Sequence, residues 1–158
     1  TLGLGGCASQ AEKPQAEETV TTPAGSYRAD TGAAPAESYA DRPWDDPSSP
    51  LYRRTVYFDY DSSEIRSEYV PLLQTHARYL AGHPGTRVTL EGHTDERGSR
   101  EYNLALGDDR AQTVQRFLLA EGVRADQLTT LSFGEEKPVE PGHDESAWSQ
   151  NRRVELAY

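Results

Sequence analysis

Cysteine, lysine and long apolar runs are all scarce in this chain, and each scarcity closes off a class of function. One cysteine among 158 residues, Cys7, allows neither a disulfide framework nor a zinc site of cysteine pairs. Four scattered histidines add no metal-ligand spacing. From residue 51 onward the only lysine is Lys137 against twelve arginines, and the net charge of the whole is −10, so no basic nucleic-acid footprint exists. The apolar stretch Thr1–Cys7 is too short to cross a membrane. Large aliphatics are nearly missing from residues 8–50, where Val20 stands alone. That stretch cannot bury enough apolar surface to offset its ordering entropy.

What is present divides the chain in two. Residues 8–50 carry eight acids against three bases and Pro14, Pro23, Pro35, Pro43, Pro47 and Pro50, the composition of a disordered, semi-extended tether. At roughly 3 Å per residue its upper reach is on the order of 130 Å. Tyr39 and Trp44 are its only bulky groups near the far end; they either dock on the following domain or sit in solvent. Residues 51–158 hold almost all the Leu, Ile, Val and Phe and are expected to form one domain, with eighteen acids against thirteen bases. The arginine bias suits bidentate carboxylate contacts, though a GC-rich genome gives the same bias.

Leu4-Gly5-Gly6-Cys7 matches the bacterial lipobox, in which the chain is cut before a cysteine that is then acylated. Residues 1–6 accordingly read as the tail of a signal-peptide apolar region, and Cys7 as a lipidation site. Ala8, where Asp would favour inner-membrane retention, points to the outer membrane. Several acyl chains on one cysteine give durable anchoring, which one chain alone does not.

Within the domain the patterns alternate between strand and helix. Arg54–Phe58 is β-branched and aromatic, a first strand broken by Asp59–Ser63. The Asp59/Asp61/Ser63 spacing is like the start of a calcium loop, but the sixth position lacks Gly and the twelfth is Val70. Ser67 reads as an N-cap; Val70, Leu73, Ala77 and Leu80 follow at helical spacing, and Gly82 to Gly85 end that helix. His76 within it is a packing residue. Arg87–Glu91 alternates as a second strand. A helix capped by Ser99 runs to about Ala120, with Leu104, Ala111, Val114, Phe117 and Leu118 as its apolar face. Leu128–Phe133 is a third strand, Ser146–Gln150 a short helical turn, and Arg153–Tyr158 the last strand. The order βαβαββ predicts an α+β domain with helices packed on one face of a mixed four-stranded sheet.

The stretch Glu91–Arg110 puts an acid, Asp95, on a loop and a base, Arg110, on the next helix fifteen residues later. A strand, a charged turn and a helix in that order suit a small ligand carrying both signs of charge. Asp95 could instead cap its own turn, and Arg110 could pair with Asp108 or Asp109 on the helix surface.

Seven phrases carry a family resemblance: Val56-Tyr-Phe-Asp-Tyr-Asp61, Glu91-Gly-His-Thr-Asp-Glu-Arg-Gly98, Glu101-Tyr-Asn-Leu-Ala-Leu-Gly107, Arg110-Ala111, Gly134-Glu-Glu-Lys-Pro138, Gly142-His-Asp-Glu145 and Asn151-Arg-Arg153. Across residues 54–158 the chain resembles the OmpA-like peptidoglycan-binding family, nearest to its peptidoglycan-associated lipoprotein branch in the Tol–Pal system. The resemblance implies non-covalent capture of the diaminopimelate of a peptidoglycan stem peptide. Asp95 would accept from its ammonium and Arg110 fork onto a carboxylate. Tyr60, Asp61, Thr94, Arg97 and Asn103 would line the pocket, Leu106 would meet the alkyl stem, and Asn151 and Arg152 would brace the site. On this reading Asp95→Ala or Arg110→Ala abolishes capture by sacculi at a nearly unchanged melting temperature. The resemblance implies no cofactor and no catalysis. It implies an outer-membrane lipoprotein facing the periplasm, with peptidoglycan, TolB and other Tol or outer-membrane proteins as partners. A generic OmpA-like lipoprotein or a motor-stator anchor without Tol contacts is the alternative. A hydrolase using Asp59/Asp61 or His143/Asp144 is the rival from another class, and it lacks both a carboxylate pair of evident spacing and a zinc set.

Overall fold

The computed structural model describes residues 39–158, so the lipobox cysteine Cys7, residues 1–6 and the tether up to residue 38 lie outside the described residues. Four strands and three helices follow in the order β1 (Thr55–Tyr57), α1 (Val70–Gly82), β2 (Val88–His93), α2 (Arg100–Ala120), β3 (Leu128–Gly134), α3 (Glu145–Asn151) and β4 (Arg153–Ala157). They make a single sheet ordered β1-β4-β2-β3. β4 is antiparallel to both β1 and β2, while β2 and β3 run parallel across the α2 crossover, giving the mixed sheet that the alternation of patterns predicts.

Period explains the core. In the strands every second residue turns inward, so Val56, Val88, Leu90, Val154 and Leu156 are buried. Leu73, Ala77 and Leu80 of α1 and Ala111, Val114 and Leu118 of α2 fall at helical spacing and cover that face. Two sequence expectations shift. Ser67 is not a cap: a 3₁₀ turn occupies Ser67–Tyr69, no side chain caps α1, and Pro71 sits in its first turn, where a missing N–H is harmless. Leu104, expected on the apolar face of α2, is 50% exposed: the helix lies with its backbone against Ser132 and Gly134 there, and its inward stripe runs through Asn103, Gly107 and Arg110 instead. Ser99 does cap α2, accepting from the Tyr102 N–H.

Helix α2 lies unusually close to β2, and two glycines make that distance attainable. A Cβ on Gly92 would be driven into the Gly107 carbonyl, and a Cβ on Gly107 into the Ser132 hydroxyl. Gly92→Ala is therefore expected to lift α2 from the sheet and cost about 2–3 kcal/mol. Gly82→Ala, with open space around it, should stay within about 1 kcal/mol of wild type. Urea midpoints of the two variants measure the difference.

The packed unit begins earlier than the expected boundary at Leu51. Residues 39–50, read from the sequence as the end of the tether, form successive turns, and Trp44 is 8% exposed. Its indole stacks on Tyr158 at 4.4 Å and meets Tyr79 edge-on at 6.0 Å. Behind it the buried His76 bonds the Tyr158 hydroxyl at 2.6 Å and the Arg53 carbonyl at 2.8 Å. Because Ala157 pairs with Thr89 at the start of β2, this aromatic clasp lies at the pole of the sheet opposite the end of β2.

Candidate functional site

At His93 the pairing of β2 with β3 slips by one residue, and the bulge turns the chain out of the sheet toward Thr94 and Asp95. A cleft of about 160 Å³ opens there, lined by Tyr60, Asp61, Thr94, Asp95, Arg97, Gly98, Tyr102, Asn103, Leu106 and Arg110. Eight of the ten residues expected at a ligand site are thus brought together from the exit of β1, the β2–α2 turn and the first half of α2. Arg152 and Asn151 are not in its lining.

Arg110 is the most enclosed charge in the domain, with 0% exposure. Its guanidinium donates to three backbone carbonyls, of Ser62 at 2.8 Å, His93 at 2.8 Å and Asp59 at 3.0 Å. One side chain thereby ties the β1 exit and the end of β2 to α2. Burial pulls its pKa down to about 10, with nearby Asp95 opposing, so it stays protonated at neutral pH. The alternative, a surface pair with Asp108 or Asp109, does not form. Arg110 is a structural tie: its removal would free three carbonyls, so an unchanged melting temperature is no longer expected for that variant.

Asp95 is 4% exposed and does not wait empty for a cation. Its Oδ1 accepts from the Arg97 backbone N–H at 3.0 Å and from Arg97 Nε at 3.2 Å. Its Oδ2 accepts from Arg97 Nη2 at 2.6 Å and Arg152 Nη1 at 3.2 Å. The capping alternative for this residue is thus present, since Oδ1 takes the N–H of its own turn while the carboxylate is paired with two arginines. Burial alone would raise its pKa, but the bonds from Arg97 and Arg152 outweigh that and hold the carboxyl below its ordinary value. Arg152 acts as a brace from behind, bonded also to the Phe58 carbonyl at 3.1 Å and to Glu145 at 2.5 Å. Asn151 serves a neighbouring loop instead: its side-chain carbonyl accepts from the Val139 and Glu140 N–H groups at 2.8 and 3.0 Å.

The remaining walls combine apolar and polar surface. Leu106 is half-buried and offers the aliphatic side. Asn103 is buried and donates to Glu135. Asp61 adopts a positive φ of 53°, which Asp tolerates better than most residues, and accepts from the Tyr102 hydroxyl. The Thr94 hydroxyl is buried yet finds no partner among the described residues. Arg97 lies between two rings, 4.0 Å from the centre of Tyr60 and 4.2 Å from that of Trp148. Trp148 and Tyr102 are not expected at the site from the sequence, and Gly98 is expected only as a turn residue. A tryptophan in the short polar helix α3, without an apolar period to place it in the core, was the one available signal. Tyr102 meets Asp61 across 41 residues of sequence, and nothing local announces that.

Neither pair considered for hydrolysis stands as a pair. Asp144 caps α3 by accepting from the Ala147 N–H at 3.0 Å, and His143 faces Glu96 at 2.8 Å. Asp59 faces Arg66 at 3.7 Å.

His93, beside the cleft, is 2% exposed, stacks on Phe133 and leaves both ring nitrogens without partners among the described residues. Burial, helped by the Arg153 charge, pushes its pKa down to about 4. The unfolded chain takes up this proton near pH 6.5 and the folded one refuses it until about pH 4. Stability therefore falls with acidification through that window. The buried His76, also lowered by burial, acts in the same direction. The His93 contribution alone should remove about 2 kcal/mol between pH 7 and pH 5. Urea midpoints at the two pH values should show the loss in wild type and a clearly smaller one in His93→Leu.

Comparison with known proteins places these features. The model of the OmpA family matches residues 57–152. The peptidoglycan-associated lipoprotein of Pseudomonas aeruginosa is 58% identical over 102 residues, covering 65% of this chain and 60% of that protein. The one from Pseudomonas putida is 45% identical over 151 residues, covering 96% of this chain and 87% of the relative. Among solved structures, the crystal structure of the peptidoglycan-associated lipoprotein from Burkholderia pseudomallei superposes with a TM-score of 0.72 at 52% identity, covering 73% of this chain and 98% of that one. The C-terminal domain of Helicobacter pylori MotB shares the fold at 24% identity and a TM-score of 0.61, covering 66% of this chain and 82% of that one.

Proposed function

Since the chain belongs to the OmpA family and, within it, to the peptidoglycan-associated lipoproteins, we propose that it is an outer-membrane lipoprotein that grips peptidoglycan without making or breaking a bond. The ligand is the zwitterionic end of diaminopimelate in the stem peptide, an ammonium and a carboxylate on one carbon with an alkyl stem behind. The observation that carries this reading is the cleft itself: Asp95 and Arg110 stand in one small hollow with Leu106 as its aliphatic wall. Asp95 takes the ammonium, the carboxylate meets the positive edge that the enclosed Arg110 and the more exposed Arg97 present together, and Leu106 packs against the methylenes. Cys7, acylated, holds the chain to the membrane on the periplasmic side. The clasp of Trp44 on Tyr158 supports this arrangement, because the tether joins the domain at the pole away from the cleft. Tension between membrane and wall would then run along the sheet.

Co-sedimentation with purified sacculi tests the binding. Wild type should pellet with diaminopimelate-containing sacculi and release no soluble muropeptides. Failure to pellet would remove the proposal, and muropeptide release would turn it toward catalysis. Partnership with TolB and a place in the Tol–Pal system rest on family membership alone. Co-purification of TolB with the full chain would support them, and its absence would favour an anchor without Tol contacts.

A further inference from the structure

Both poles of the cleft are closed in this structure. Arg110 is fully enclosed, and every lone pair of the Asp95 carboxylate is taken by four donors, three of them from Arg97. A ligand ammonium can reach Asp95 only by displacing one of those donors. The two arginines differ sharply in how replaceable they are. Arg152 is 6% exposed and is fixed by the Phe58 carbonyl and Glu145 as well. The Arg97 side chain is 29% exposed, lies against the cleft, and bonds by its side chain only to carboxylates. It also has a place to go: Glu145 already stands 3.5 Å from its Nη2, and the rings of Tyr60 and Trp148 form a slot in which a guanidinium can slide without losing its aromatic contacts.

We propose that Arg97 is a built-in stand-in for the ligand's cationic group, and that its displacement makes the cleft selective for zwitterions over simple amines. This inference rests on the reading of the cleft as the diaminopimelate site. An amine without a neighbouring carboxylate that enters the cleft breaks the Arg97–Asp95 ion pair and restores only one pair, its own with Asp95. The released guanidinium is left with a solvent-exposed Glu145, a weak partner. A zwitterion restores two: its ammonium takes over Asp95, and its carboxylate receives the freed Arg97 fork. The planar, five-donor guanidinium suits that second contact, which a lysine at the same position would make as a point charge. Discrimination thus comes from the ion pair the protein must give up to bind, as well as from the new bonds the ligand makes. The backbone N–H of Arg97 keeps its bond to Oδ1 throughout, so the turn that carries Asp95 does not have to unfold when the side chain leaves.

Two peptides differing by one carboxylate test this: the L-Ala–γ-D-Glu–meso-diaminopimelate tripeptide and its counterpart with L-Lys as third residue. In the full chain labelled with 15N, the diaminopimelate peptide should shift the Arg97 Nε–H signal as its pair with Asp95 is exchanged for one with the ligand carboxylate, whereas the lysine peptide should move it toward its position in ligand-free Asp95→Asn. By titration, wild type should favour the diaminopimelate peptide by at least about 30-fold. Arg97→Gln should weaken that peptide about 10-fold while leaving the lysine peptide unchanged or tighter, so the preference shrinks to about 3-fold or less. If cleft amides shift but the Arg97 Nε–H signal stays in place, or Arg97→Gln weakens both peptides alike, the stand-in role is overturned and the site survives. If neither peptide shifts any cleft amide, the site itself is wrong and the role of Arg97 falls with it.

Discussion

Arg110→Ala is expected to lower the melting temperature by more than about 10 °C, corresponding to roughly 4 kcal/mol. The size follows from where the donors point. Asp59, Ser62 and His93 each lose a charge-assisted bond to their carbonyls, and these lie in two segments, the loop after β1 and the end of β2. A buried carbonyl left without a donor costs about 1–3 kcal/mol, and removal of the side chain whose guanidinium lies over Phe58 adds a cavity. Against a total stability of about 5–15 kcal/mol, this is a large fraction. Arg110→Lys, able to satisfy part of the set, should recover some of the loss. Thermal unfolding by circular dichroism measures both. A melting temperature within about 2 °C of wild type for Arg110→Ala would mean the three carbonyls are solvated in solution.

Asp95→Asn should abolish capture by sacculi, with at least a 100-fold loss of affinity, while the domain stays folded. The amide keeps an oxygen to accept from the Arg97 N–H, so the turn persists. What disappears is the negative charge that holds an ammonium, and with it the compensation for Arg152, left facing only Glu145. The stability cost is about 1–3 kcal/mol. Asp95→Ala, which also loses the turn cap, should be less stable than Asp95→Asn and equally unable to bind. Co-sedimentation and urea unfolding on the same preparations separate the two effects. Normal binding by a folded Asp95→Asn would exclude Asp95 as the cation acceptor.

Most of the fold is legible in the period of the sequence. Alternation in Arg153–Tyr158 and helical spacing in Leu73, Ala77 and Leu80 report directly which face meets the core, because burial selects residue type. Ser67 misleads because Pro71 and the 3₁₀ turn at Ser67–Tyr69 delay the helix by one turn. Leu104 misleads because the close approach at Gly92 and Gly107 turns the neighbouring stripe of α2, Asn103, Gly107 and Arg110, toward the sheet. Of the cleft, the charged turn from Thr94 to Gly98 and the arginine at 110 stand out as residue types, and resemblance supplies their roles. The burial of Arg110 is invisible in the sequence, since its partners are backbone carbonyls, which have no sequence signature. The Arg97 stack is invisible for a related reason: Tyr60 and Trp148 reach it from opposite ends of the domain. Whether Trp44 docks is undecidable from a proline-rich segment, because the answer lies with Tyr158 at the end of β4.

The most direct measurement is a titration of the 15N-labelled full chain with the diaminopimelate tripeptide, read residue by residue. The proposed site predicts saturable shifts concentrated at Tyr60–Asp61, Thr94–Gly98 and Tyr102–Leu106, with the opposite pole around Trp44 and Tyr158 unmoved. Shifts that fall elsewhere while these three segments stay still would contradict it.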